Sequence, residues 1–80
     1  MEWDSIHKVV DEMVETQRKD LLALGRQVIS TLTPEDILQP NDYPELEENP
    51  QFRYEEGILA GLQSLQIALK ALEQDFTERE

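Results

Sequence analysis

Asp4, His7 and Asp11 stand at i, i+3 and i+7, a spacing at which one helix face could offer two carboxylates and an imidazole to a divalent ion. His7 is the single histidine, and the chain has no cysteine to serve as thiolate ligand or nucleophile. Di-metal bundles draw carboxylates and histidines from several helices, yet the apolar stretch from Ile58 to Leu72 contains neither an acid nor a histidine. The three residues therefore read as a solvated face carrying a His/Asp pair. Glycine-rich phosphate loops and a Ser/His/Asp arrangement are missing as well. No catalytic residue, metal ligand or cofactor is assigned, and no small-molecule substrate is identified.

Glu12-x-x-Glu15 resembles the first half of the carboxylate motif of all-α nucleoside triphosphate pyrophosphohydrolases, which hold Mg²⁺ with a Glu-x-x-Glu on one helix and a Glu-x-x-Asp on the next. The resemblance covers four residues and implies a metal-dependent all-α hydrolase drawing on Asp4, His7, Asp11, Glu12 or Glu15. The second long helix supplies no Glu-x-x-Asp, and Lys19 stands where it can pair with Glu15. An enzyme is accordingly the runner-up reading, behind a non-catalytic one.

Whatever these residues do, helices must position them. From Asn49 to Phe76 the apolar residues Ile58, Leu62, Leu65, Leu69, Leu72 and Phe76 recur at alternating steps of four and three, a heptad seam that needs another helix to pack against. Beside it runs a stripe of small residues, Gly57, Gly61, Ser64, Ala68 and Ala71, which would let a second backbone approach closely. The first helix is expected over residues 4–32, capped by Asp4 or Ser5. Its apolar stripe is Ile6, Val10, Met13, Leu21, Leu24, Val28 and Leu32, with Trp3 and Val14 at the margins and Gln17 as the polar member. These positions follow an eleven-residue period.

Between the helices, Thr33-Pro-Glu-Asp has the cap, proline and acids of a helix start, so a short helix is expected over 34–39, stopped by Pro40. The rest of the 33–49 connection is acidic and proline-rich. Asn49 then caps a helix over 50–76, and a frayed tail follows at 77–80. The chain reads as one all-α domain, an antiparallel helical hairpin. Antiparallel folding sets Trp3 near Phe76 and Leu32 near Phe52.

With 80 residues and no disulfide, such a hairpin has little core of its own, and two of them would make a four-helix bundle. A homodimer is expected, with a different helical protein as the competing partner. Ile58, Gly61, Leu62, Leu65, Ala68, Leu69 and Leu72 are the expected packing and dimer residues. Asp42, Tyr43, Glu45, Leu46, Arg53 and Tyr54 are the candidate surface for a further partner, or else a plug in which Tyr43, Leu46, Phe52 and Tyr54 close the bundle end. The net charge of −11 repels nucleic-acid phosphate and anionic membrane. Neither is expected as a partner, and an acidic nucleic-acid mimic or a helical chaperone subunit remains a lesser alternative. The acids of Met1-Glu-Trp-Asp-Ser are unlike a signal peptide, so the cytoplasm is the expected location. The overall expectation is a small cytoplasmic interaction or adaptor protein.

Overall fold

A computed structural model describes residues 2–39 and 42–79. It is an all-α hairpin. Helix α1 spans Trp3–Val28, a 3₁₀ turn spans Asp36–Leu38, a single turn α2 spans Pro44–Glu47, and α3 spans Pro50–Arg79. The two long helices pack against each other in a rod with principal extents of 50 × 19 × 18 Å. The expected stop at Pro40 and the last residue of the expected tail, Glu80, lie outside the described residues.

α1 opens one residue before the expected caps. Glu2 occupies the N-cap position without a side-chain cap bond, and its carbonyl accepts from the Ile6 N–H at 3.2 Å. Packing holds this first turn: the Trp3 ring stacks on His7 at 6.1 Å between centroids and meets Phe76 at 5.9 Å, the pairing that an antiparallel hairpin requires.

The other end of α1 departs from the expectation of a helix to residue 32. Ile29 is extended, the chain turns, and Leu32 folds back until a Cβ placed on Gly25 would lie 2.5 Å from its Cδ2 and 3.3 Å from Phe52. Glycine is what lets these side chains reach the helix backbone. Arg26 Nε donates to the Leu32 carbonyl at 2.8 Å and holds the turn. Leu32 is thus buried as expected, but from outside the helix.

In the connection, the Thr33 N–H donates to Asp36 Oδ2 at 2.9 Å and the Asp36 N–H donates to Thr33 Oγ1 at 3.3 Å, a reciprocal capping arrangement. The bonds from Thr33 hold the Asp36 carboxyl below its ordinary 3.8, with a smaller contribution from the Tyr43 hydroxyl that donates to it. Burial, and after it the bond to Asp36, raises the Tyr43 phenol above its ordinary 10.0. Asn49 Oδ1 accepts from the Phe52 N–H at 2.9 Å, so α3 starts with the expected Asn cap and proline at its first position. α3 continues to Arg79, past the expected end at Phe76, and Thr77 Oγ1 donates back to the Glu73 carbonyl at 2.9 Å.

The core lies at the connection end, where Leu21, Leu32, Leu46 and Phe52 are no more than 1% exposed. Val14, Ile37 and Leu59 extend it, with Leu22, Leu24, Ile29, Tyr43 and Leu62 packed around it.

Candidate interaction surface

α1 meets α3 along Val10, Val14, Gln17, Leu21 and Gly25, and α3 answers with Phe52, Glu55, Leu59, Gln66 and Glu73. The steps are four, three, four and four on α1 and three, four, seven and seven on α3, so the α3 side keeps a heptad spacing. Two details differ from the expected stripes. On α1, Val14 is buried while Met13 is 48% and Val28 40% exposed; on α3 the buried residues are Phe52 and Leu59, which both lie outside the leucine seam. The eleven-residue spacing is kept on the packed face of α1, where Val10 and Leu21, and Val14 and Gly25, stand eleven apart, but the face is turned by one residue's arc from Met13 and Leu24 toward Val14 and Gly25.

Three polar rungs cross the contact. His7 Nε2 lies 2.7 Å from Glu73 Oε2, so the imidazole N–H donates to the carboxylate. Gln66 Nε2 donates to Asp11 Oδ1 at 2.8 Å. Gln17 Nε2 donates to Glu55 Oε2 at 2.6 Å and to the Glu55 carbonyl at 3.1 Å. Polar pairs inside an apolar seam fix register, since a one-turn slip would strand them. Reasoning from sequence missed the His7–Glu73 pair. Its signal was present, for His7 is one turn from Trp3 and Glu73 is about one turn from Phe76, the aromatic pair already expected.

The same rungs dismantle the constellation with which a metal site would begin. His7 turns to Glu73, Asp11 turns to Gln66, and Asp4 is solvent-exposed. Among the described residues no group of three His, Cys, Asp or Glu side chains is arranged to hold a metal ion.

What α1 does not cover forms a face of its own. Val9, Glu12, Met13, Thr16 and Gln17 from α1 and Ile58 and Leu62 from α3 line an open groove of about 510 Å³. Heptad spacing carries the α3 side of this face on through Leu65, Leu69 and Leu72 to Phe76. Val9 is 56% exposed, and Ile58, Leu65, Leu72 and Phe76 are 37–46% exposed, whereas Leu62 and Leu69 are half-buried. Gly61 and Ala68 are exposed at its edge, and a Cβ on Gly57 or Gly61 would meet nothing within 4 Å. The expected packing residues thus lie together on one side of the rod, with the hairpin's own contact displaced toward Leu59.

The second expected surface divides. Leu46 is fully buried and is withdrawn as a contact residue, and Tyr43 is half-buried. Both plug the end of the hairpin together with Phe52, because the α2 turn folds them onto Gly25 and Leu32. Tyr54, expected in that plug, is instead 69% exposed. Asp42, Glu45, Arg53 and Tyr54 remain outside, with Arg53 paired to Glu56 at 3.2 Å.

No helix among the described residues is long and apolar enough to cross a membrane. No protein-family model, curated protein or solved structure matches the chain.

Proposed function

We propose that this chain is a small non-catalytic interaction protein, an adaptor that works as a homodimer in which two hairpins lie face to face as a four-helix bundle. The observation that supports this reading is the apolar face of Val9, Met13, Ile58, Leu65, Leu72 and Phe76, which runs along one side of the rod and is 37–56% exposed. Exposed apolar patches of this continuity are characteristic of association surfaces, and a second helix pair packed on such a face completes a four-helix bundle. The divergence of Asp4, His7 and Asp11 supports a non-catalytic role. Asp42, Glu45, Arg53 and Tyr54, at the connection end, would stay available for a further partner.

Light scattering behind size exclusion, with helical CD on the same samples, tests the reading. The expected result is a helical species at twice 9.3 kDa that persists on dilution to micromolar concentration. A monomer at every concentration would remove the homodimer.

A further inference from the structure

We infer that the second copy lies antiparallel to the first, with α1 against α1 and α3 against α3 of the partner, about a two-fold axis level with Thr16 and Gly61. The inference rests on the homodimer proposed above and says how its surfaces meet.

The charges that flank the face supply the argument. On α1 the face itself consists of two heptad columns, Glu2, Val9, Thr16 and Ala23 beside Ile6, Met13, Asp20 and Gln27. The column just outside them is Ser5, Glu12, Lys19 and Arg26, the flanking position whose charges choose partner orientation in helix pairs. Glu12 lines the groove, and Lys19, one heptad on in the same column, lines a second pocket with Leu22 and Ile37. Neither makes an ion pair or hydrogen bond among the described residues. Laid antiparallel about a point between Glu15 and Thr16, the column pairs Glu12 with Lys19 of the other copy, twice by symmetry, and Arg26 with Ser5. Laid parallel about an axis along the rod, α1 would meet α3 of the other copy, and this column would face Tyr54, Gly61, Ala68 and Asp75, which leaves Glu12 and Lys19 without an oppositely charged partner. An isologous contact must be self-complementary, and this column is so in one direction only.

α3 accommodates an axis at the same level. The Asp11–Gln66 bond and the contact of Gly25 with Phe52 fix the hairpin's register, and interpolation between them sets Thr16 level with Gly61. On α3 the column outside the face is Tyr54, Gly61, Ala68 and Asp75. About Gly61 it pairs Tyr54 with Ala68 of the other copy and Gly61 with itself, at a site where a Cβ would meet nothing within 4 Å. Ile58 and Leu65, both part-exposed, then pack across the axis on each other's equivalents. The same arrangement separates the two acidic connections, which carry Glu35, Asp36, Asp42, Glu45, Glu47 and Glu48 each, at opposite ends of the bundle. A parallel pair would bring them side by side.

Charge reversal and cross-linking test the arrangement. Glu12→Lys and Lys19→Glu alone should each weaken dimerisation roughly tenfold, since each converts two attractive pairs into two repulsive ones, and the double change should restore it. Both positions are exposed, so the hairpin itself should survive, as CD will show. Because the chain has no cysteine, Thr16→Cys alone should give a disulfide-linked dimer under mild oxidation, whereas Tyr54→Cys should not. A wild-type dimer without charge rescue, or one that cross-links through Tyr54→Cys and not Thr16→Cys, overturns the antiparallel arrangement and leaves the homodimer standing. A wild-type monomer overturns both, and assigns the face to a different chain.

Discussion

The two ends of the rod are finished to different degrees. At the connection end four segments converge: the last turns of α1, the returning Leu32, the α2 turn with Leu46, and the start of α3 with Phe52. Every one of Leu21, Leu32, Leu46 and Phe52 is buried to within 1%. Along the middle and toward the free end there are only two helices, and two cylinders share one line of contact. Val9, Met13, Leu65 and Leu72 stay 42–56% exposed there, and the shared line is partly polar at His7–Glu73 and Asp11–Gln66. A hairpin this short can complete a core where its loop doubles back, and elsewhere it leaves apolar side chains part-exposed.

The sharpest way to break this contrast is to delete a large side chain at each end. Phe52→Ala should cost the hairpin about 3–5 kcal/mol, the range for a fully buried aromatic, and for so small a domain that is most of its stability. Leu65→Ala, measured on dilute monomeric samples, should cost under about 1 kcal/mol, since the side chain is already 42% exposed. Denaturant midpoints of dilute samples report both. Equal costs would mean that the leucine face is part of the monomer core.

Glycine sharpens the contrast next. Gly25→Ala drives a methyl to 2.5 Å from Leu32 Cδ2. That contact is the end of a side chain, but one buried with Phe52 behind it, so overpacking of about 1–3 kcal/mol should exceed the gain of about 1 kcal/mol in helix propensity. Gly57→Ala meets nothing within 4 Å and should stabilise by about 0.5–1 kcal/mol. Opposite signs in thermal melts are expected, and a stabilising Gly25→Ala would show that the connection end is looser than its burial implies.

Local signals explain how far the fold was legible in the sequence. Thr33 with Asp36, Asn49 with Pro50, and the Trp3–Phe76 pairing depend on neighbouring residues or on antiparallel order alone, and all are present in the fold. Which side of each helix turns inward was not legible. Leu59 sits next to Ile58, and Val14 next to Met13, so a rotation of one residue's arc decides which is buried. That rotation is set by long-range contacts: Gly25 against Leu32 and Phe52, and the polar rungs. Leu32 itself fitted the helical period and so concealed the turn that buries it. The candidate face was legible as a list of residues, since the seam is periodic, but its exposure depended on that same rotation.

At the free end, His7 and Glu73 should prove coupled but modest. His7→Ala and Glu73→Ala are each expected to cost about 1 kcal/mol, the net worth of a part-buried bond, with most of it recovered as interaction energy in the double variant. Strictly additive losses would place the stability of this end in the Trp3–Phe76 contact instead.

The smallest expected effect belongs to the connection and depends on pH. The Asp36 carboxyl is held below 3.8, first by the bonds from Thr33 and in lesser part by the one from Tyr43. A carboxyl whose acidity is increased by folding adds stability in full above its unfolded value and loses it as pH falls through its lowered folded value. Asp36→Asn retains an acceptor for the Thr33 N–H but not the charge. Thermal midpoints of the wild type should therefore exceed those of Asp36→Asn at pH 6, and the two should converge as the pH falls below 3.8 toward 2. The site is exposed, so the difference is expected to be small beside those above. Melting curves that stay parallel down to pH 2 would mean that the Thr33–Asp36 turn relies on its geometry and not on its charge, and that the connection end owes its closure to Leu32, Leu46 and Phe52 alone.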